Sequence, residues 1–309
     1  MKRLPANLSI APCRHHDRAE ALRLVFSGLP EPDREGMVRG LLAERESGGD
    51  DLGGVLTARC GGTIVGAIWA QVQAGRTAVL WPPATLHGEA SELNAPLIAA
   101  ALEFLESAGT ALAQTLLRGS EMPLASAFQN AGFEKLTDLV YLVAPACTPT
   151  ASPSWPLQFE PYRSSERARL GRLIERTYVG SLDCPTIDGA REIDDVVAGY
   201  QATGVFDPSR WFFARHADRD AGVLLLADHP PAKHWELVYM GIVPEARGRG
   251  WGEMVARHAL EQAGKSGAEQ VVLAVDAKNT HGRTAYARAG FSEWDRRTVL
   301  LKQFAGSSG

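Results

Sequence analysis

The feature that most constrains this chain is a pattern that returns 158 residues later. AFQNAGF at residues 127–133 is matched by AYARAGF at 285–291, and the same shift, without a gap, lays Pro96 in one long apolar-periodic segment on Met254 in another. One offset that aligns separated features indicates an internal duplication. The order of signals on the two sides agrees. Each half opens with a short strand (NLSIAPC; LQFEPY) and continues through a helical region (18–46; 165–200). Apolar and β-branched strand runs follow (GGVLTARC, TIVGAIWAQVQ, TAVLW; RWFFARH, AGVLLLAD, HWELVYMGIV). A long helix (PLIAAALEFLESAG; MVARHALEQAGKSG) then leads to a closing strand, helix and strand. Between the halves, APACTPTASPSWP at 144–156 carries no charge and is rich in Pro, Ser, Thr and Ala, which marks a linker. The expected organisation is two α/β (α+β layered) domains, residues 1–146 and 157–305, joined by 147–156. Each has a mixed central β-sheet flanked by helices.

Composition narrows the function. With 309 residues and 45% hydrophobic content, each half can build its own core. A net charge of −4 gives no support for nucleic-acid binding. No apolar run is long enough to cross a bilayer, and none stands behind the N-terminal MKR to make a signal peptide, so a cytoplasmic protein is expected. The four cysteines are scattered without a CxxC pair, which reads as free thiols. RHHD at 14–17 has no second ligand cluster at a sensible spacing, so no metal is expected. A GxSxG elbow for serine chemistry is also missing.

The chemistry concentrates in ELVYMGIVPEARGRGWGEMVARHAL, residues 236–260, where a strand hands over to a helix through glycines and arginines. A helix start offers unpaired backbone N–H groups and partial positive charge. Gly248, Gly250 and Gly252 let an anion approach them, and Arg247 and Arg249 add forked donors. The loop is built for a phosphate-bearing ligand. It is not a Walker loop, since no Gly-Lys-Ser/Thr follows. It is not a dinucleotide fingerprint, since Glu253 stands where the third glycine belongs.

VPEARGRGWG resembles the acyl-CoA-binding motif of the GNAT acetyltransferases, Arg/Gln-x-x-Gly-x-Gly/Ala after a strand, through Arg247, Gly250 and Gly252. A second motif of that family is present as Asn279, Tyr286, Gly290 and Phe291, while Trp251 stands where an aliphatic residue is more usual. The resemblance covers residues 156 to 302 and implies transfer of an acetyl group from acetyl-CoA, without a metal, to an amine of a small molecule. It places the pyrophosphate on Arg247, Gly248, Arg249, Gly250, Trp251 and Gly252. The pantetheine arm lies beside Met240, Gly241, Ile242 and Val243, with Asn279 holding the arm or its neighbouring backbone. That chemistry wants a base for the ammonium and an acid for the leaving thiolate. The resemblance assigns Tyr286 as acid and Glu236 as base, with His234 in reserve. Strand alternation would put Glu236 on one face with Val238, Met240 and Ile242. The resemblance places the acceptor wall at GSLDCP, where Asp183 could meet a substrate cation and Cys184 could line the pocket, or the segment could be a helix-capping loop. Two other readings stand beside this one: a non-catalytic acyl-CoA-binding module, and an acetyltransferase acting on a protein or peptide amine. Oligomeric state is unknown.

Under the same shift the first half puts Glu89, Glu92 and Asn94 where Arg247, Gly250 and Gly252 stand. It also puts Ala78, Glu121 and Phe128 where Glu236, Asn279 and Tyr286 stand. Carboxylates in place of phosphate donors repel a phosphate. The first half is therefore expected to be a degenerate copy that keeps its packing and braces the second or walls its acceptor cleft.

Overall fold

The duplication sets the element order of the computed structural model, which describes residues 7–46, 52–86, 90–148, 155–183 and 191–304. The first repeat runs β1 (Leu8–Pro12), α1 (Arg18–Val25), α2 (Glu31–Glu46), β2 (Val55–Cys60), β3 (Thr63–Gln73), β4 (Thr77–Thr85), α3 (Ala90–Ser107), β5 (Leu112–Leu117), α4 (Ala125–Asn130) and β6 (Glu134–Pro145). The second runs β7 (Gln158–Pro161), α5 (Arg167–Tyr178), α6 (Ile193–Gln201), β8 (Trp211–His216), β9 (Arg219–His229), β10 (His234–Ile242), α7 (Trp251–Lys265), β11 (Gln270–Asp276), α8 (Thr280–Ala289) and β12 (Ser292–Gln303). The 158-residue shift lays the first residue of β5 on the first of β11, and both ends of β6 on both ends of β12. Among the described residues no helix is long and apolar enough to cross a membrane.

The repeated Ala-Gly-Phe ends a helix in the same way twice. Gly132 and Gly290 take φ of 88° and 104°, which a residue with a Cβ resists. The next N–H then donates back to the helix, Phe133 to Phe128 and Phe291 to Tyr286. The phenylalanine rings pack on those partners at 5.2 and 5.7 Å. A local motif thus fixes where each last helix stops and where each last strand begins.

The chain divides into two compact units, Met1–Leu136 with Thr298–Gly309, and Thr137–Arg297. The division falls within β6 and β12 rather than at 147–156, because the closing strands are exchanged between the repeats. In the second unit β6 pairs antiparallel with β11, from Gln270↔Pro145 to Asp276↔Leu139. In the first, Thr298–Gln303 of β12 pairs antiparallel with β5. Val140, Leu142 and Ala144, alternating along β6, enter the core of the second unit, while Leu300 and Phe304 enter that of the first.

The first unit carries the strand order β1-β2-β3-β4-β5, completed by β12. Leu93, Leu97, Ile98, Ala101 and Leu105 of α3 bury one stripe against it. Near α1, Phe26 packs edge-on against Trp81, which stacks on Trp69. The second unit has the order β6-β11-β10-β9-β8-β7. There α5 buries Leu170, Leu173, Ile174 and Thr177, and α7 buries Trp251, Val255, Ala259 and Ala263, each at helical spacing.

One packed group in the second unit is titratable. His258 of α7 lies parallel to the Phe159 ring at 3.7 Å, and its Nε2 has no partner among the described residues. Burial, with a smaller contribution from Lys265, pushes its pKa from the ordinary 6.5 down to about 4. Above pH 6.5 the imidazole is neutral in both states and costs nothing. As pH falls from 6.5 toward 4 the unfolded chain binds a proton that the folded one refuses, and stability drops. The fall should approach roughly 3 kcal/mol, since each tenfold difference in proton affinity between the two states is worth about 1.4 kcal/mol. Denaturant midpoints measured from pH 7 to 4 should show it, and His258→Phe should flatten that part of the profile.

Candidate active site

Along its whole length β10 pairs with β9, from His234↔His229 to Ile242↔Gly222. On the other side it pairs with β11 only from His234 to Glu236, opposite Gln270 to Val272. Beyond that point the two strands part. Val238 forms a bulge, since Leu237 faces Leu226 while Tyr239 already faces Leu225. An extra residue changes which side chains share a face. This corrects the unbroken alternation expected for Glu236, Val238, Met240 and Ile242. Past the bulge it is Tyr239 and Gly241 that turn toward α5. The Tyr239 hydroxyl lies 2.6 Å from Thr177 Oγ1, and a Cβ at position 241 would overlap that same threonine.

Beyond the parting, β10 borders a cavity of about 720 Å³. Its walls are the last turn of α5 with Gly180–Asp183, the second half of β10, the glycine loop with the start of α7, and α8 with Asn279. Met240, Gly241, Ile242, Arg247, Gly248, Gly250, Trp251, Gly252, Asn279 and Tyr286 all line it. Val243, Arg249 and Glu236 are not part of its lining. Val243 is buried and donates its N–H to Ala221 O, which leaves that donor engaged and closed to a ligand.

The three glycines of the loop answer to different needs. Gly248 and Gly250 have φ of 76° and 74°, with open space where a Cβ would stand. Gly252 lets α7 approach α8, since a Cβ there would lie 3.3 Å from that of Ala285. No side chain among the described residues caps the start of α7, which leaves its first-turn N–H groups open to a ligand at the cavity wall. Trp251 is buried, with the His216 ring at 4.7 Å and the Arg249 guanidinium over its face. Arg247 is a fastener: its Nε donates to Ile242 O, and its terminal nitrogens donate to Gly180 O and Thr177 O at 3.0 and 2.8 Å. One guanidinium thereby ties strand, loop and the end of α5 together.

Across the cavity, Asn279 Oδ1 accepts from Gly282 N and caps α8. Tyr286 is buried, and its hydroxyl has no hydrogen-bond partner among the described residues. Burial pushes that phenol above its ordinary pKa, with a further push from the Asp183 charge. Asp183 Oδ1 accepts from Asp276 N of β11 at 2.9 Å, and the Asn279 side chain also donates to this carboxylate. Burial, and then the charge of Asp276, raise the Asp183 pKa against these hydrogen bonds.

Glu236 stands apart from Tyr286. Its Oε2 is 3.0 Å from His229 Nε2, and the His229 ring stacks on His234 at 4.8 Å. Burial and the His229 charge both lower the pKa of His234. Thr177, Tyr178, Ser181 and Tyr239 line the cavity without having been singled out in the sequence, where they read only as the end of one helix and a strand position. Cys184 and Glu89 lie outside the described residues. In the first unit, Glu121 accepts from Arg118 N, Ala78 and Phe128 are fully buried, and Asn94 is 9% exposed. No group of three or more His, Cys, Asp or Glu among the described residues is arranged to hold a metal ion.

Residues 175–291 match the acetyltransferase (GNAT) family. A mycothiol acetyltransferase of Geodermatophilus obscurus is 35% identical over 92 residues, 28% of this chain and 30% of that protein. The matched part thus spans less than a third of that relative. Among solved structures, a GCN5-related N-acetyltransferase from Sphaerobacter thermophilus resembles this chain over 97% of both, with a TM-score of 0.70 at 17% identity. A tandem GNAT protein from the clavulanic acid biosynthesis pathway does so over 96% of this chain and 98% of its own, with a TM-score of 0.54 at 14% identity. At these identities the likeness establishes the fold, a mixed sheet flanked by helices of GNAT type.

The fastening role of Arg247 has a direct readout. Arg247→Met removes every hydrogen bond that this guanidinium makes between the end of α5 and the loop. Trypsin cleavage after Arg191, beyond that tie, should quicken by at least about fivefold as local opening becomes easier. Cleavage at the parent rate would show that the wall holds without it.

Proposed function

Because residues 175–291 carry a GNAT acetyltransferase domain, we propose that the second unit transfers an acetyl group from acetyl-CoA to the amine of a small molecule. The observation that carries this reading is one cavity bounded by an uncapped helix start, a strand edge without its neighbour, and a buried tyrosine hydroxyl without a partner among the described residues. These fit the three parts of an acyl-CoA: a pyrophosphate, an amide-bearing arm and a thioester. The N–H groups of Gly248, Gly250, Trp251 and Gly252 hold the phosphates. The open edge of β10 from Met240 to Ile242 meets the arm. Arg247 contributes by shaping the loop and Arg249 by charge at its rim, while Asn279 fixes the start of α8.

Tyr286 is the acid in this reading. Its raised pKa keeps the phenol protonated, as donation to a leaving thiolate requires. Glu236 holds His229 and is outside the cavity wall, so this reading does not give it the ammonium's proton. The name of the matched relatives, mycothiol acetyltransferase, supports a small-molecule acceptor.

The first unit lacks this chemistry at each corresponding position, and one acetyl-CoA per chain is expected. Calorimetric titration should give a stoichiometry near one, abolished by Arg247→Glu. A value near two would place a second site in the first unit. CoA release should be measured with a panel of amines and with a peptide. Binding without release for any acceptor favours a non-catalytic module, and release with the peptide alone favours a protein substrate. Tyr286→Phe should lower kcat by at least about tenfold, within the range for a lost general acid, while the KM for acetyl-CoA moves little. Full kcat in that variant would remove Tyr286 from the chemistry.

A further inference from the structure

Asp183 is a carboxylate in the cavity wall with no countercharge. Among the described residues no lysine, arginine or histidine pairs with it. Of the basic residues that line the cavity with it, Arg247 spends its guanidinium on three backbone carbonyls, and neither His281 nor Arg288 pairs with Asp183 among the described residues. The groups that do reach Asp183 are Asp276 N and the Asn279 side chain, both neutral donors. Asp276, itself buried, adds a second negative charge nearby. A half-buried anion beside another anion is costly unless a cation arrives to meet it. A carboxylate accepts up to about four hydrogen bonds, so two neutral donors leave it capacity for more. Tyr286 lines the same cavity, buried, its hydroxyl without a partner among the described residues and within reach of the Asp183 charge.

We infer that Asp183 is the carboxylate that receives the acceptor's alkylammonium and takes its proton. The inference rests on the acetyl-transfer reading above and names the substrate class for it: amines that are cationic at neutral pH. Asp183 removes one proton from the ammonium and leaves the nitrogen lone pair free. That nitrogen bonds to the thioester carbonyl carbon, and the carbon–sulfur bond breaks with its electron pair on sulfur. The thiolate takes the Tyr286 proton. The phenolate regains one from the nitrogen as the amide forms, and Asp183 releases its proton to solvent. An alkylammonium and acetyl-CoA become an N-alkylacetamide, CoA thiol and one proton. The raised pKa of Asp183 improves its match to this task. Its bond to Asp276 N places it on the β11 side of the fork, clear of the β10 edge.

The test uses Asp183→Asn, which keeps the shape and can still accept from Asp276 N, with benzylamine as a cationic acceptor and aniline as a neutral one. Transfer to benzylamine should fall at least tenfold in kcat/KM. Transfer to aniline and the affinity for acetyl-CoA should stay within twofold of the parent. Asp183→Glu should recover part of the benzylamine activity. Equal losses on both amines, or a loss of acetyl-CoA affinity, would mean that Asp183 only latches the wall to β11 and would overturn the inference. So would unchanged benzylamine kinetics, or a parent that acetylates aniline but not benzylamine. A parent that fails to bind acetyl-CoA, or binds it and acetylates neither amine, takes down the acetyl-transfer reading itself, and the parent alone reports that outcome.

Discussion

The second unit is organised around a strand that loses its neighbour. β10 and β11 begin as a parallel pair and separate after Glu236 and Val272. Backbone groups inside a protein cannot be left unpaired without cost. A parting in the middle of a sheet therefore has to be filled from elsewhere. On the β11 side, Asp183 supplies an oxygen for Asp276 N. On the β10 side the edge lines the cavity. The bulge at Val238 turns Tyr239 and Gly241 toward α5, and Arg247 ties the end of that helix to the loop. The cavity wall follows from these bonds.

The first unit has the same parting. β4 pairs with β5 only from Thr77 to Val79 before the strands diverge. Trp81, which the 158-residue shift lays on Tyr239, stacks on Trp69 and donates its indole N–H to Gln71. Phe128 keeps the ring of Tyr286 without the hydroxyl and is wholly buried. The two units thus share the parting of the strands, while the side chains at the corresponding positions of the first are packed.

What could be read from the sequence was what depends on near neighbours. Helix ends set by Gly132 and Gly290, the glycine loop, the alternation along the second half of β6 and the order of elements all follow from short stretches. The cavity residues Met240, Gly250, Asn279 and Tyr286 were legible through the resemblance, which rests on motifs within short stretches of the chain. What escaped depends on partners far away. Arg247 reads as a phosphate ligand from its neighbours, yet two of its bonds go to carbonyls 67 and 70 residues away in the chain. Glu236 sits at the expected point on its strand, but His229 on the adjacent strand holds it. The bulge that breaks the alternation leaves no mark in the run of residues 236–242.

The exchange of β6 and β12 bears on how the chain is made. The last strand of the first unit is made only after the whole of the second. Gln303 pairs with Leu112, a separation of 191 residues. The second unit has all its residues once Arg297 is made, while β5 still waits for Thr298–Gln303. Contacts so distant in sequence form slowly, and exposed strand edges invite wrong partners. The half that begins first therefore closes last, and a fragment cut at residues 147–156 would deprive each unit of a strand that belongs to it.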